Sequence, residues 1–437
     1  MPRTVFFETF GCQMNTADSE AMLTALRRAG WQPTEDVESA DLVVFNTCAV
    51  RDHAEAKVRS RLGLLRELKQ RRPQLRIALA GCMAQREGRA LLARHPQLDL
   101  VVGTSQFSRL PELVERLHEE PRIAALDFED WDERERADVE PAPGVNAFVP
   151  IMRGCNYTCT YCVVPMTRGR EQSRRPEAIE AEVRRLVAAG YRQVTLLGQT
   201  VDAYGKTLGD GTTLAGLLRR LHAIDGLLRI RFVTSHPKDI TDELLATIAE
   251  LPKVARHLHV PAQSGSDRIL RLMGRRYTSD EYLRLVERAR RFVPDIELVS
   301  DFIVGFPTES DDDYAATERL LDRVGFAAAF VFMYSPRPGT PATRLADDVP
   351  EPVKRERCQR LLERQLAQQE AQHRALLGSV LPVLFEGPSK TDPGMLFGRS
   401  AGQRAVIAPR DDALIGRIVP VRIARCTALT LYGDPLP

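Results

Sequence analysis

Long apolar runs are missing from this sequence. No stretch of about 18 uninterrupted apolar residues exists, so nothing in it reads as a membrane span. The first residues, MPRTVFFETFGCQMN, lack the basic segment and following apolar stretch of an export signal. Lysine is scarce, and nearly all of the 61 cationic residues are arginine. Net charge is only +2, which excludes a protein-wide cationic field and confines any nucleic-acid surface to local patches. Without an export signal a reducing, cytoplasmic compartment is expected. There, eight cysteines are ligands or catalysts before they are disulfides.

What is present is ordinary material for large cores, with 43% apolar and 27% charged residues over 437 positions. That length gives a prior of about three domains, and the expected class is α/β. Residues 1–140 alternate strand and helix, and TVFFETF, DLVVFN and LRIALAG are continuous apolar runs suited to a parallel sheet covered on both faces. Thr16 is expected to cap a first helix that Gly30 closes, and HAEAKVRSRLGLLRELKQ reads as a second. The acidic, proline-containing DFEDWDERERADVEPAPG has the composition of a linker. Over residues 141–375 six strand candidates alternate with helical patterns and a long polar helix follows. Six units are too few for a closed eight-fold barrel, so the sequence predicts an open, partial (β/α)6 barrel. Residues 376–437 carry short β-type runs broken by Gly and Pro, which suggests a small β-barrel of the kind that holds oligonucleotides.

Chemistry concentrates in the cysteines. Cys155, Cys159 and Cys162 lie in MRGCNYTCTYCVVP with the spacing C-x3-C-x2-C. A structural zinc site takes four ligands. A ferredoxin-type run needs a fourth cysteine before proline, but Val164 precedes Pro165 here. Three thiolates on a [4Fe–4S] cluster leave one iron open. Such an iron can chelate the amino and carboxylate groups of S-adenosylmethionine and deliver an electron to the sulfonium, giving a 5′-deoxyadenosyl radical. The loop follows a strand, where barrel active sites lie. Tyr161, between two of the cysteines, either leans on an adenine or is a core tyrosine. Cys12, Cys48 and Cys82 look scattered, yet each follows a predicted strand. In a parallel sheet such ends share one ligand-binding edge, so the three can converge on a second cluster. The alternative is three core cysteines, since cysteine is among the most buried residue types.

The three-cysteine loop resembles that of the radical S-adenosylmethionine superfamily, and the likeness continues beyond it. Gly198 and Gln199 end QVTLLGQ where the superfamily grips the methionine amine. Asp301, Ile303 and Gly305 in SDFIVGFPTES resemble its adenine-contacting motif, and Ser235, His236, Gln263 and Ser264 also end strands as pocket candidates. Taken with FGCQMN, FNTCAV, GCMAQ, LLGQTVDAYG, RFVTSHP and YSPRPGTPA, the chain is similar to the methylthiotransferase family over almost its whole length, with a tail like that family's TRAM domain. The resemblance implies two [4Fe–4S] clusters, one on Cys155, Cys159 and Cys162 and the other on Cys12, Cys48 and Cys82. It implies S-adenosylmethionine as cosubstrate, with a methylthio group added to C2 of N6-dimethylallyladenosine in tRNA. It further implies an electron donor such as flavodoxin or ferredoxin, and leaves the sulfur donor open; a monomer is expected. Met166, Thr200, Asp202 and Thr308 depart from the family's usual residues without touching a ligand position.

Two clusters of arginine could contact phosphates. Arg168, Arg170, Arg174 and Arg175 follow the cysteine loop, and Arg399, Arg404, Arg417, Arg422 and Arg425 lie in the tail. Cys358 and Cys426 have no cysteine neighbour and read as structural. Rival readings are a sister methylthiotransferase for threonylcarbamoyladenosine in tRNA or for a ribosomal aspartate, and a non-catalytic iron–sulfur RNA-binding protein.

Overall fold

The computed structural model describes residues 3–49 and 52–436; Val50 of the FNTCAV motif lies outside them. The amino-terminal region is a wholly parallel six-stranded sheet. Its strands are β1 (Arg3–Thr9), β2 (Trp31–Thr34), β3 (Leu42–Thr47), β4 (Arg76–Gly81), β5 (Leu100–Val102) and β6 (Ile123–Ala125), in the order β2-β1-β3-β4-β5-β6. All six residues of β3 are buried, as the continuous apolar run requires. Around the sheet pack α1 (Gln13–Arg28), α2 (Asp52–Arg71), α3 (Cys82–Glu87), α4 (Arg89–Arg94) and α5 (Leu110–Arg116). The first helix begins three residues before the expected cap: Cys12 is its N-cap, and the Thr16 N–H donates to the Cys12 carbonyl at 3.2 Å. Thr16 is therefore an interior residue of the first turns.

The barrel strands are β7 (Asn146–Pro150), β10 (Gln193–Leu197), β11 (Arg229–Phe232), β12 (His257–His259), β13 (Glu297–Val304) and β14 (Ala328–Met333), with a short ribbon of β8 (Met152–Arg153) and β9 (Gln172–Ser173) beside the first. They form two parallel three-stranded sheets, β7-β10-β11 and β12-β13-β14, joined by a bridge between Ile230 and Val254. β14 is an edge, so the barrel stays open. After the short α6 (Val164–Arg168) the outer helices are α7 (Pro176–Ala188), α8 (Leu214–His222), α9 (Asp242–Glu250), α10 (Asp267–Leu272), α11 (Ser279–Phe292) and α12 (Asp311–Val324). Val194, Leu196, Ile230, Leu258, Phe302 and Val304 join the helices in one core. The residues alternating with them, among them Thr195, Arg229, His259 and Asp301, face the lumen. Thr278 and Ser310 start α11 and α12 with complete capping boxes, to Glu281 and Asp313, so two of the helix starts are locally encoded.

A long helix, α13 (Glu351–Arg374), leads into a closed barrel of β15 (Val380–Pro388), β16 (Met395–Ser400), β17 (Ala405–Pro409), β18 (Ile418–Cys426) and β19 (Leu431–Pro435), in the order β15-β16-β17-β19-β18. This small barrel sits under the larger one. Arg404 grips the Glu297 carboxylate with two bonds of 2.7 Å, and the Ala401 carbonyl accepts from the Arg256 N–H at 3.0 Å. Both partners lie at the amino-terminal ends of the large-barrel strands. Arg404 is thereby an anchor between barrels and not a phosphate contact.

The stretch expected to be a linker is packed into the structure. Arg136 and Val139 are each 3% exposed. The Arg136 guanidinium donates to Glu182 of α7 at 3.0 and 2.8 Å and to the Ala17 carbonyl of α1 at 3.2 Å. Composition misled because the partners lie far away in sequence. Among the described residues no helix is long and apolar enough to cross a membrane.

Candidate functional site

The loop Cys155–Cys162 leaves β8 and is held from several sides. Gly154, at φ +75°, lies against the Arg170 carbonyl where any side chain would collide. The Thr160 N–H donates to Met273 at 2.9 Å and its hydroxyl to Leu272 at 2.8 Å, which ties the loop to the end of α10. Each sulfur then has a polar neighbour. Cys155 Sγ meets Thr200 Oγ1 at 3.3 Å and the Tyr157 N–H at 3.4 Å. Cys159 Sγ accepts from Arg275 Nη1 at 3.4 Å, and Cys162 Sγ from the Val164 N–H at 3.5 Å.

Around this loop, four polar atoms at strand ends are buried without a hydrogen-bond partner among the described residues: Gln199 Oε1, Ser235 Oγ, His236 Nε2 and Gln263 Oε1. Buried polar groups are nearly always satisfied, so a set of orphans at consecutive strand ends fits a polar ligand. Gln263 also holds a φ of +68° and Thr234 one of +70°, strain of the kind kept at binding sites. Gly198 stands where a Cβ would lie 2.6 Å from Met152 Cγ. Ser264 differs from its neighbours, since its hydroxyl accepts the Ser266 N–H at 3.1 Å and meets Thr317 at 3.3 Å. It shapes the turn into α10. Tyr161 and Ile303 pack against one apolar cluster with Met273, Phe306 and Tyr334. Asp301 lies 3.2 Å from His259 Nε2, and the Gly305 N–H donates to Glu309 at 2.7 Å.

The motifs missed Tyr157, Asp239 and Arg275. The His236 ring stacks on Tyr157 at 3.9 Å, the Tyr157 hydroxyl donates to Asp239 at 2.7 Å, and the His236 N–H donates to both Asp202 oxygens. Burial, with Arg275 nearby, pulls His236 down to about 2, so the ring is neutral. Only the tyrosine's place inside the cysteine loop could have flagged it.

Cys12, Cys48 and Cys82 do come together. They follow β1, β3 and β4, which are adjacent strands in that order. Gly11, at φ +123°, is so close to Cys48 that a Cβ there would collide with the cysteine's own. Asn15 and Asn46, both fully buried, form an amide network beneath the trio: Asn15 meets Cys12 Sγ at 3.1 Å and donates to the Thr47 carbonyl at 2.9 Å, and Asn46 donates to the Asn15 carbonyl at 2.8 Å. Arg168, at the end of α6, donates its Nε–H to Cys82 Sγ at 3.2 Å and pairs with Asp18 at 2.7 Å. Cys82 also packs against Val163, the residue after Cys162. The two trios thus share a wall.

Arg168 and Arg174, expected at a phosphate surface, are buried instead. Arg174 is 1% exposed and bonded to Glu182 at 2.6 Å and Glu133 at 3.0 Å. Arg170, Arg175, Arg417, Arg422 and Arg425 are exposed, and Arg399 is half-buried.

Both trios fit iron–sulfur clusters. Burial pushes the Cys162 thiol up to about 12 and Cys82 up to about 11, and raises Cys155 as well. The protein alone therefore favours neutral thiols, and iron supplies the positive charge that thiolates need. Among the described residues no three such ligands stand close enough for a single metal ion, whereas a cluster spreads its thiolates over several irons.

Known proteins match the chain over nearly its whole length. Family models match over residues 4–103 (uncharacterized protein family UPF0004), 149–321 (radical SAM superfamily) and 374–436 (TRAM domain). The chain is 48% identical over 435 residues to the tRNA-2-methylthio-N(6)-dimethylallyladenosine synthase of Moorella thermoacetica, covering 98% of this chain and 97% of that one. It is 46% identical to the synthase of the same name from Syntrophomonas wolfei, covering 98% and 96%. Among solved structures, the radical S-adenosylmethionine methyltransferase TsrM from Kitasatospora setae superposes with a TM-score of 0.58 at 17% identity, covering 78% of this chain and 77% of that one, which speaks to fold alone. With full-length identity at this level, and with two cysteine trios meeting at one wall, the chain belongs to the methylthiotransferase family of radical S-adenosylmethionine enzymes.

Proposed function

We propose that this protein adds a methylthio group to C2 of N6-dimethylallyladenosine in tRNA, in the reducing cytoplasm and as a monomer served by a flavodoxin- or ferredoxin-type electron donor. The observation that carries the reading is the contact of Val163 and Arg168 with Cys82. It sets the loop of Cys155, Cys159 and Cys162 directly beside the trio of Cys12, Cys48 and Cys82. Cys155, Cys159 and Cys162 would hold a cluster that supplies the electron for reductive cleavage of S-adenosylmethionine to methionine and a 5′-deoxyadenosyl radical, and Cys12, Cys48 and Cys82 would hold a second cluster beside it as the site of the sulfur to be transferred.

The chain's own groups do the holding. Thr200, Arg275 and two backbone N–H groups face the first three sulfurs, and hydrogen bonds to sulfur set a cluster's potential. Gln199, Ser235, His236 and Gln263 offer unmet polar atoms to the methionine and ribose portions of the cosubstrate. Tyr161 and Ile303 supply an apolar wall for its adenine. At the open edge, Phe330 and Phe332 are 55% and 43% exposed. They alternate with Ala329 and Val331, which pack into the core, so both face the lumen side. Unstacked RNA bases are recognised by stacking on such aromatic rings, and an apolar dimethylallyl group suits the same surface.

Replacing Phe330 and Phe332 together by alanine is expected to raise KM for the RNA substrate by about tenfold or more, at about 1–3 kcal/mol per stacked base. Release of 5′-deoxyadenosine without RNA should stay unchanged, and steady-state kinetics with both readouts checks this. The decisive test of the whole reading is mass spectrometry of tRNA nucleosides from cells lacking this protein. The dimethylallyl group should remain and the methylthio group vanish. Persistence of the methylthio group would overturn the assignment.

A further inference from the structure

Arg168 brings a charge to Cys82 of the second cysteine site from the first site's own segment, in which Val163 makes an apolar contact with the same cysteine. Arg168 closes α6, which starts two residues after Cys162, and its placement is tightly determined. The carbonyl of the preceding Thr167 accepts from Thr104 Oγ1 at 2.6 Å, a bond between the barrel and the amino-terminal sheet region. The guanidinium is 6% exposed; its Nε–H donates to Cys82 Sγ at 3.2 Å, and its Nη1 lies 2.7 Å from Asp18 Oδ2 as an ion pair. Its Nη2 is buried and has no partner among the described residues. A protein rarely leaves a buried guanidinium donor unmet. Here the unmet donor belongs to the same planar fork that already reaches a cysteine sulfur, and an inorganic sulfide is an acceptor of matching chemistry.

We propose that Arg168 is a positioning and potential-setting residue for the cluster held by Cys12, Cys48 and Cys82, an inference that rests on the reading above. Its physical action is twofold. A fixed cation beside a thiolate ligand stabilises the reduced, more negative cluster, so it raises the reduction potential. Its position on α6 also ties the Cys82 sulfur to the Cys155–Cys162 segment, so the separation of the two sites follows the conformation of one short helix. Asp18 opposes the first action by partly neutralising the guanidinium.

The test uses the full chain with Cys155, Cys159 and Cys162 replaced by alanine, reconstituted anaerobically so that only the second site can carry iron. The readouts are iron content and the midpoint potential, followed by electron paramagnetic resonance. Arg168→Gln is expected to move the midpoint to a more negative value at equal iron content, and Arg168→Lys, which keeps the charge without the fork, to move it less. Asp18→Asn should shift it the opposite way. Asp18 also lines a cavity of about 430 Å³, so the amide is readily accommodated. Should Arg168→Gln fail to assemble a cluster, the Asp18→Asn shift still decides. Midpoints that stay at the parent's value, or that move in the same direction for Arg168→Gln and Asp18→Asn, overturn the proposal. A parent that binds no iron at the second site overturns the underlying two-cluster reading instead.

Discussion

Cys82→Ala is expected to leave 5′-deoxyadenosine release in place and to abolish methylthio product. The reason is the division of labour proposed for the two trios. Cys82 belongs to the amino-terminal sheet, where it is the first residue of α3 and only 5% exposed. The groups that face the other sulfurs, Thr200, Arg275 and the Tyr157 and Val164 N–H groups, all belong to the barrel and are untouched by the change. Cys155→Ala should instead remove both activities. Chromatography with mass spectrometric detection of 5′-deoxyadenosine and of the modified nucleoside, in one reaction, separates the two outcomes. Methylthio product from the Cys82→Ala protein would refute the assignment of the second trio.

Glu182→Ala is expected to be the most damaging single change for stability. The Glu182 carboxylate is 2% exposed and neutralises two guanidinium groups, Arg136 and Arg174, which are 3% and 1% exposed. Removing it strands the buried Arg136 guanidinium and leaves Arg174 with Glu133 as its remaining carboxylate, at a cost of about 3–5 kcal/mol, a large part of the roughly 5–15 kcal/mol that holds an ordinary domain together. The urea midpoint should fall sharply. Burial pushes the Glu182 carboxyl upward, but Arg136 and Arg174 outweigh it and hold the group below its ordinary value of 4.5. A carboxylate with a depressed folded value contributes stability that is complete above the unfolded value and is lost as pH falls through the folded one. The wild-type protein should therefore lose this contribution in acid below pH 4.5. Glu182→Gln should be less stable near neutrality and show a flatter acid limb. Urea titrations over that range measure both.

The convergence of Cys12, Cys48 and Cys82 could be read from sequence because apolar runs mark where strands end, and adjacent parallel strands release their ends along one edge. LVVFNT and RIALAG leave little choice about where Cys48 and Cys82 emerge. The barrel's six strands were legible for the same reason. Charge was not legible. Arg168, Arg174 and Arg404 read as phosphate-seeking because their carboxylate partners, Asp18, Glu182 and Glu297, belong to other elements that only folding brings near. The strap around Arg136 was misread likewise. Short-range patterning also failed at Thr16, where the cysteine that begins α1 displaced a conventional cap. Thr308 adds one more case: it adopts a φ of +68° that favours glycine, and Arg268 holds its hydroxyl at 3.0 Å.

The docking of the small barrel through Arg404 and Glu297 places it beneath the large one, whereas the cysteines open at the top. The strand between them, β13, has eight residues, a rise of about 25 Å. On the proposed function, an RNA held at Arg417, Arg422 and Arg425 would have to span at least that rise before any of its bases reached the mouth. Selection would then work as a measuring stick: a free nucleoside or a short hairpin would not touch both ends, while a long folded arm would.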